Sequence, residues 1–243
     1  MRNFLGANET DRLARLAGIL YLLVLPTAGP WFYTSTSLLG ADATLASLQA
    51  AQHTLELVIV LGAIGHSVQL LAAILLYRLL SPSSKLAAIS MLVLLAVSVP
   101  LSFAAIARQT DLLALLGGGS AAALGTEQLQ AQIIFGARAF TSLVSTAALF
   151  WGLWLFPLGW GLYRSRLVPR AIGVLVFLGG PLYVMAFFGP LLVADYPRSL
   201  VQSIVGFGSG IPDLLGELGT AVWLTVMGAR SARNATPPAA SPG

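Results

Sequence analysis

Glu217 and His66 are the two residues whose types and positions could carry chemistry in this sequence. Glu217 lies in the apolar stretch 211–229, thirteen residues before Arg230, and His66 lies twelve residues before Arg78. At about 1.5 Å per residue, both sit about 18 to 20 Å from the basic ends of their stretches. A charged side chain near the middle of a membrane costs roughly 2.5 kcal/mol or more, so it should face the protein interior and find a partner there. We therefore predict a His66–Glu217 contact, which could bind or relay a proton.

Four further polar residues accompany this pair. Gln69 lies one turn inward of His66 and could extend the contact, whereas Asp213 lies one turn outward of Glu217 on the same helix face. Glu56 and Arg138 reach the outer interface by the same count of residues. We expect Asp213, Glu56 and Arg138 to form an outer polar vestibule.

Other interpretations of these polar residues stay open. A histidine–glutamate pair can fix helix register without any ligand, or the two side chains can fail to meet. Asp213 can serve as the carboxylate at the start of a helix, because acidic groups are favoured at helix N-termini.

The sequence contains little that would support an enzymatic activity. There is no cysteine, no H-E-x-x-H motif, and "GFGSG" at 206–210 is not G-x-S-x-G. His53 and His66 are thirteen residues apart, about 20 Å along a helix, so they cannot share an ion on one helix. We predict no catalytic residue, no metal and no cofactor.

The composition of the chain indicates which kind of structure must position these residues. The chain has 243 residues, of which 57% are apolar and 9% charged. A soluble domain of this size could not cover its surface with so few charges, so the lipid bilayer is the expected partner. The formal net charge of +4 does not indicate nucleic acid, because the basic residues cluster at the ends of apolar runs.

Six stretches approach the roughly 20 apolar residues that a membrane crossing requires. The sixth has a charge-free run of only 218–229, so either Glu217 lies within the membrane or this segment does not span. The six stretches predict an all-α, polytopic transmembrane helix bundle, with spans at about 13–32, 56–79, 86–107, 139–163, 171–192 and 211–229. The fourth span should extend a helix that starts near Glu127, and 34–52 is amphipathic enough for an interfacial helix. We expect a cytoplasmic segment at 1–12, a membrane domain at 13–229 and a disordered cytoplasmic tail at 230–243.

The basic residues predict the orientation. Cytoplasmic loops carry an excess of Lys and Arg, and the alternating spans put ten of these residues on one side and three on the other. Both termini are therefore predicted in the cytoplasm. The inner set is Arg2, Arg12, Arg15, Arg78, Lys85, Arg164, Arg166, Arg170, Arg230 and Arg233; the outer set is Arg108, Arg138 and Arg198. Trp31-Phe32-Tyr33 should end the first span at the outer interface.

One segment resembles a known family. "FWGLWLFPLGWGLYRSRLVPRAIGVL" at 150–175 is similar to the signature of the prokaryotic membrane family called domain of unknown function 4386, which reads F-x-G-L, L-G, R-S, then P-R-x-x-G. "RLAGILYLL", "GADATLASLQAA" and "GELGTAVWLTVMG" resemble its first span, following loop and closing segment. The resemblance covers about 12–228. It implies a multi-span protein of the bacterial cytoplasmic membrane and supplies no activity.

Three classes of function remain open. A binder or transporter of a small molecule or ion fits the buried polar cluster best, although nothing in the sequence specifies the ligand. A structural or regulatory partner of another membrane protein needs only packing faces, and an enzyme acting on lipid is the weakest alternative. Six helices are few for a transporter monomer, so a transporter also implies a homo-oligomer.

Overall fold

The computed structural model describes residues 7–40, 42–117, 124–208 and 211–229, and within these ranges the chain is helical with no strand. This confirms the all-α prediction. The helices are α1 (Ala7–Leu38), α2 (Leu45–Ala50), α3 (Gln52–Leu80), α4 (Lys85–Leu116), α5 (Thr126–Ser165), α6 (Arg170–Leu192), α7 (Leu200–Gly208) and α8 (Ile211–Met227). A single 3₁₀ turn, Tyr196–Arg198, separates α6 from α7.

Five of the described helices are long and apolar enough to cross a membrane: α1, α3, α4, α5 and α6. They also carry large apolar side chains on their exposed faces, such as Leu86, Leu71 and Phe135, as lipid-facing surfaces do. The sixth predicted stretch forms α8, whose apolar part Leu214–Met227 is shorter than the other five. Length and composition thus assign five candidate spans to the described residues.

Several helix boundaries differ from the sequence predictions. The outer interface was predicted at Trp31-Phe32-Tyr33, but α1 continues to Leu38 and Trp31 is completely buried. The interfacial helix expected over 34–52 shrinks to α2, where the Thr44 hydroxyl accepts a hydrogen bond from the Ser47 backbone N–H and caps the helix. The predicted start of a long helix near Glu127 is confirmed by α5.

Proline does not break these helices. The structure continues each helix through its internal prolines, namely Pro26 and Pro30 in α1, Pro100 in α4, Pro157 in α5, and Pro181 and Pro190 in α6. Neighbouring helices and local adjustments can satisfy the carbonyls that proline frees, which is why membrane helices tolerate it. These prolines therefore do not create the broken-helix ion sites that some transporters use.

The described chain packs as two compact units. The first unit takes its residues from Met1–Leu22, Leu71–Leu95 and Leu149–Gly243, and the second from Leu23–Leu70 and Ala96–Ala148. Helices α1, α3, α4 and α5 contribute residues to both units. Tyr21 and Glu217 belong to the first unit, and His66 belongs to the second.

Glycine brings helix backbones together in the first unit. A Cβ placed on Gly159 of α5 would lie 2.6 Å from the backbone nitrogen of Phe177 on α6, and one on Gly152 would lie 3.0 Å from the carbonyl oxygen of Gly180. On α8, a Cβ on Gly216 would lie 2.7 Å from the backbone nitrogen of Val176. Small residues at such positions let membrane helices approach closely, and here they fix α6 against both α5 and α8.

Glycine has the same role in the second unit. A Cβ on Gly62 of α3 would lie 2.4 Å from Cδ1 of Trp31, and one on Gly65 would lie 2.5 Å from the backbone nitrogen of Ala28. The two glycines are one turn apart, so α3 presents a flat face on which α1 lays the Trp31 ring. This close contact explains why Trp31 is buried rather than exposed at an interface.

Candidate functional site

Small residues hold α1 directly against α8 in the first unit. Ala14 and Ala17 are completely buried, and Gly18 follows them on the same face of α1. A Cβ on Gly18 would lie 2.5 Å from the backbone nitrogen of Thr225 and 2.8 Å from the carbonyl oxygen of Ala221. The two backbones are thus in contact, and the next turn of α1 presents Tyr21 to α8.

The contacts between α1 and α8 have an antiparallel register. Asp11 meets Ala229, Arg15 meets Thr225 and Tyr21 meets Glu217, so residue numbers fall along α8 as they rise along α1. Tyr21 is ten residues beyond Asp11, a distance of about 15 Å along α1. The Tyr21–Glu217 contact therefore lies about half a membrane thickness from the end where α1 begins and α8 ends.

A direct hydrogen bond joins the two side chains. The Tyr21 hydroxyl donates to Oε1 of Glu217, and Tyr21 is only 5% exposed. Its ring packs edge-on against the ring of buried Trp154, with the centroids 6.1 Å apart. The contacts with α8 and Trp154 hold the phenol ring so that its hydroxyl is aimed at the carboxyl.

Around Glu217 the exposed side chains of α8 are apolar, such as Leu214 and Leu215. Thr220 is completely buried, and its hydroxyl donates to the carbonyl oxygen of Gly216 at 2.7 Å. Glu217 itself is only partly buried. A carboxyl group in such a place can take up a proton or act as the counter-ion of a small cation, because hydrocarbon offers no solvation to an isolated charge.

The other end of the α1–α8 contact is a closed polar clasp. Asp11 accepts a hydrogen bond from the Ala229 backbone N–H at 3.1 Å and pairs with Arg15 at 3.0 Å. Arg15 also donates to the carbonyl oxygen of Thr225 at 3.2 Å, and Gly228 takes the left-handed conformation (φ 57°) common after a helix end. These groups satisfy the C-terminus of α8, so we assign them a structural role.

His66 lies in the second unit and is 2% exposed. Its Nδ1 is 3.3 Å from Oε1 of Gln69, one turn along α3. Its ring also packs edge-on against Trp31, with the centroids 4.7 Å apart. The imidazole thus lies between an amide from its own helix and an indole from α1.

Sequence reasoning missed a buried hydrogen-bond chain in the second unit. The Trp31 indole N–H donates to Oε1 of Gln109 at 2.7 Å, and Nε2 of Gln109 donates to the Ser35 hydroxyl at 2.7 Å. All three side chains are completely buried. In the sequence, Trp31 carries an interfacial signal and Gln109 carries none. The hydrogen bonds join residues of α1 and α4, which no local spacing relates.

Tyr21 was missed as well. It lies in the apolar run "LAGILYLLVL", where a tyrosine carries no sequence signal of pairing with an acid almost two hundred residues away. The useful signal was the glycine three residues earlier, because Gly18 opens the face on which Tyr21 stands.

The remaining predicted site residues are placed as follows. Glu56 accepts a hydrogen bond from Gln52 at 3.1 Å and lies 3.0 Å from Nδ1 of His53, both in the first turn of its own helix α3. Arg138 is exposed on α5 and pairs with no carboxylate in the described part of the chain. The Asp213 side chain lies outside the described residues.

The predicted His66–Glu217 contact and the outer vestibule stay predictions, because the two residues fall in different units. Additive melting losses for His66→Gln and Glu217→Gln would argue against direct contact. Over residues 7–40, 42–117, 124–208 and 211–229, no three His, Asp or Glu side chains gather closely enough to hold a metal ion.

The five candidate spans and the buried polar contacts define an all-α, multi-span membrane protein. The chain belongs to the family described as Domain of unknown function (DUF4386), whose model matches residues 16–228. This confirms the family resemblance of the sequence. No curated protein and no solved structure matches the chain.

The structure gives the signature segment of the family a physical role. Its glycines Gly152, Gly159 and Gly173 are those at which the backbones of α5 and α6 come together. Arg164 and Arg170 mark the ends of the two helices, where each guanidinium group lies over an aromatic ring. In this chain the segment therefore builds the helical hairpin of α5 and α6.

Proposed function

We propose that this protein crosses the bacterial cytoplasmic membrane six times, with both termini in the cytoplasm, and binds a proton or small cation at Glu217. The support for a sixth crossing is that α8 runs antiparallel to α1 from Ala229 to Glu217. Helix α8 has 17 residues, a length of about 25 Å, and the Asp11–Ala229 clasp adds to it. The excess of basic residues at the predicted inner loops supports a cytoplasmic location for the clasp.

Single cysteines test this topology cleanly, because the chain has no cysteine of its own. Ser83→Cys and Ser231→Cys should react with a membrane-impermeant maleimide only in inverted vesicles. Gly125→Cys should react only in intact cells, and a Cβ there would meet open space. Labelling of Ser231→Cys from outside would overturn the proposal: it would mean an odd number of crossings if Ser83→Cys stays protected, and the opposite orientation if Ser83→Cys is labelled as well.

The binding proposal depends on one observation, the hydrogen bond from buried Tyr21 to Glu217 about 15 Å from the helix ends. A carboxyl at that depth exchanges between a charged and a neutral form only by taking or releasing a proton or a cation. Tyr21 donates to either form of the carboxyl, so it can hold the side chain in place while the charge changes.

A hydrophobic carbodiimide tests whether this carboxyl takes up a proton, since the reagent reacts with protonated carboxyls in apolar surroundings. Mass spectrometry should find the adduct on Glu217 in the full-length protein and no adduct in Glu217→Gln. Glu127 is exposed in the first turn of α5 and serves as the internal control that stays unmodified. Equal modification of Glu127 and Glu217, or none of Glu217, would contradict the proposal.

A second candidate function is structural, as a membrane-embedded partner of its own copies or of another membrane protein. The burial of Tyr21 against Trp154 favours it, because a tyrosine held in this way can tie α1 to α8 without any ligand. The two candidates differ in the effect of Glu217→Gln, which keeps an acceptor for Tyr21 but cannot exchange a proton. A purely structural contact predicts that this variant behaves as the wild type in every proton assay.

A further inference from the structure

The loop between α5 and α6 forms an open depression in the first unit. The depression has a volume of about 340 Å³ and is lined by Arg166, Val168, Pro169, Arg170 and, from α8, Trp223. Buried Leu167 and Val168 anchor the loop, and Arg166 takes a left-handed backbone conformation (φ 56°) that a residue with a side chain seldom adopts. The fold thus holds two arginines at the rim of one concave surface.

The charges of this depression are unbalanced. Within the described ranges, neither Arg166 nor Arg170 pairs with a carboxylate. The Arg170 guanidinium lies 5.1 Å from the centroid of the Tyr163 ring, a contact that orients it without neutralising it. Two guanidinium groups at one surface repel each other, and an anion between them would relieve that repulsion.

Two uncharged donors add to the arginines. The Trp223 indole N–H is buried and has no hydrogen-bond partner among the described residues. Helix α6 begins at Arg170, and its N-cap residue Pro169 provides no side-chain hydrogen bond, so the first turn keeps unpaired N–H groups. A helix start with free N–H groups favours an anion, and phosphate oxygens accept from both donor types.

The aromatic residues nearby indicate the depth of this depression. Trp160 and Tyr163 at the end of α5 stack with their centroids 6.1 Å apart, and Arg164 lies 6.0 Å above the Trp160 ring. Trp and Tyr concentrate at the level of lipid headgroups, and basic pockets at that level bind anionic headgroups. Two sources of a phosphate group, a lipid headgroup and free phosphate, could fill the same site.

From this combination we infer that the depression lined by Arg166, Arg170 and Trp223 is a binding site for a phosphate-bearing anion, in the first place an anionic lipid headgroup. Arg166 and Arg170 supply the charge, and the Trp223 N–H and the start of α6 supply neutral donors. The site does not involve Glu217, so it stands whether or not Glu217 binds a proton.

Native mass spectrometry of the full-length protein in detergent tests this site. The probes are phosphatidylglycerol, zwitterionic phosphatidylcholine and inorganic phosphate, titrated separately. We expect a saturable phosphatidylglycerol adduct, whose dissociation constant rises about tenfold in Arg166→Gln, Arg170→Gln or Trp223→Phe, since a charge-assisted or buried hydrogen bond is worth about that much. Arg164→Gln is the matched control and should bind as the wild type, because Arg164 does not line the depression.

Each outcome decides the inference. If inorganic phosphate binds and the same three variants weaken it, the site is supported and free phosphate is a ligand. If phosphatidylglycerol alone binds and the same three variants weaken its binding, the ligand is a lipid headgroup. If phosphatidylcholine binds equally well, or the variants and Arg164→Gln lose binding alike, the inference is overturned. Trp223→Phe keeps every charge, so its weaker binding would exclude a purely nonspecific attraction to positive charge.

Discussion

The Tyr21–Glu217 hydrogen bond predicts a measurable coupling between the two side chains. Tyr21→Phe removes one hydroxyl and leaves the ring against Trp154, whereas Glu217→Met removes the acceptor with little change in length. Each single variant removes one partner of this hydrogen bond, and such a loss costs about 1–3 kcal/mol of unfolding free energy. The double variant removes both partners, so it should cost less than the sum of the two single variants.

The size of the coupling reports the charge of Glu217. Hydrogen bonds to charged groups contribute about 1.5–3 kcal/mol, whereas neutral ones between membrane helices contribute about 0.6 kcal/mol. We therefore expect a coupling of about 0.6 kcal/mol in acidic buffer, where the carboxyl is neutral, and a larger one in alkaline buffer. In the Glu217→Gln background, where the side chain keeps its acceptor oxygen, the coupling to Tyr21 should stay near 0.6 kcal/mol, about the neutral value, in both acidic and alkaline buffer.

The assay is reversible unfolding of the full-length protein in mixed micelles of mild and denaturing detergent, followed by circular dichroism. Tyr33→Phe is the matched control, because Tyr33 lies on the same helix but is 71% exposed. It should leave the unfolding free energy unchanged. Additive effects of Tyr21→Phe and Glu217→Met, within about 0.3 kcal/mol, would refute the contact.

Three further predictions concern packing and the second unit. Gly18→Ala should destabilise the protein by about 1–3 kcal/mol, because its Cβ would meet the α8 backbone at 2.5 Å, whereas Gly29→Ala meets open space and should leave the melting temperature unchanged or raised. On α8, Gly216→Ala should lower the melting temperature and Gly219→Ala, whose nearest neighbour is 3.6 Å away, should not. Gln109→Leu should cost about 1–3 kcal/mol in the same unfolding assay, because it leaves the two buried hydrogen-bonding partners of the amide unpaired. Equal melting of the two glycine variants within either pair, or wild-type unfolding of Gln109→Leu, would contradict the packing described above.

Composition and apolar run length predicted the class of fold, because a chain with 9% charged residues has few alternatives to lipid. The same logic found the long helices, and it identified Glu217 as an acid within an apolar helix. Run length could not locate the helix ends, since α1 and α4 extend beyond their apolar stretches to Leu38 and Leu116. Helix ends are set by packing and capping as well as by hydropathy.

The contact partners of the polar and aromatic residues were harder to predict than their positions within the helices. Depth counting paired Glu217 with His66 because both are ionisable and equally deep, and that contact stays a prediction. The same count could not find the hydrogen bond from Tyr21, a residue without formal charge. Trp31 was assigned to the interface because tryptophan concentrates there, but two glycines on α3 make room for its ring in the protein interior. The contacts of Tyr21 and Trp31 both depend on which helix faces touch, and glycine spacing predicts those faces better than polarity does.

The central claim is that the Glu217 carboxyl takes up and releases a proton inside the membrane. Infrared difference spectra of the full-length protein in lipid bilayers, recorded between acidic and alkaline buffer, measure this directly through the C=O stretch of a protonated carboxyl. We predict a titrating band at the high frequency of an apolar environment, absent in Glu217→Gln and shifted in Tyr21→Phe, since that variant removes a hydrogen bond to the carboxyl. An unchanged band in Glu217→Gln, or no titrating band of this kind in the wild type, would contradict the claim.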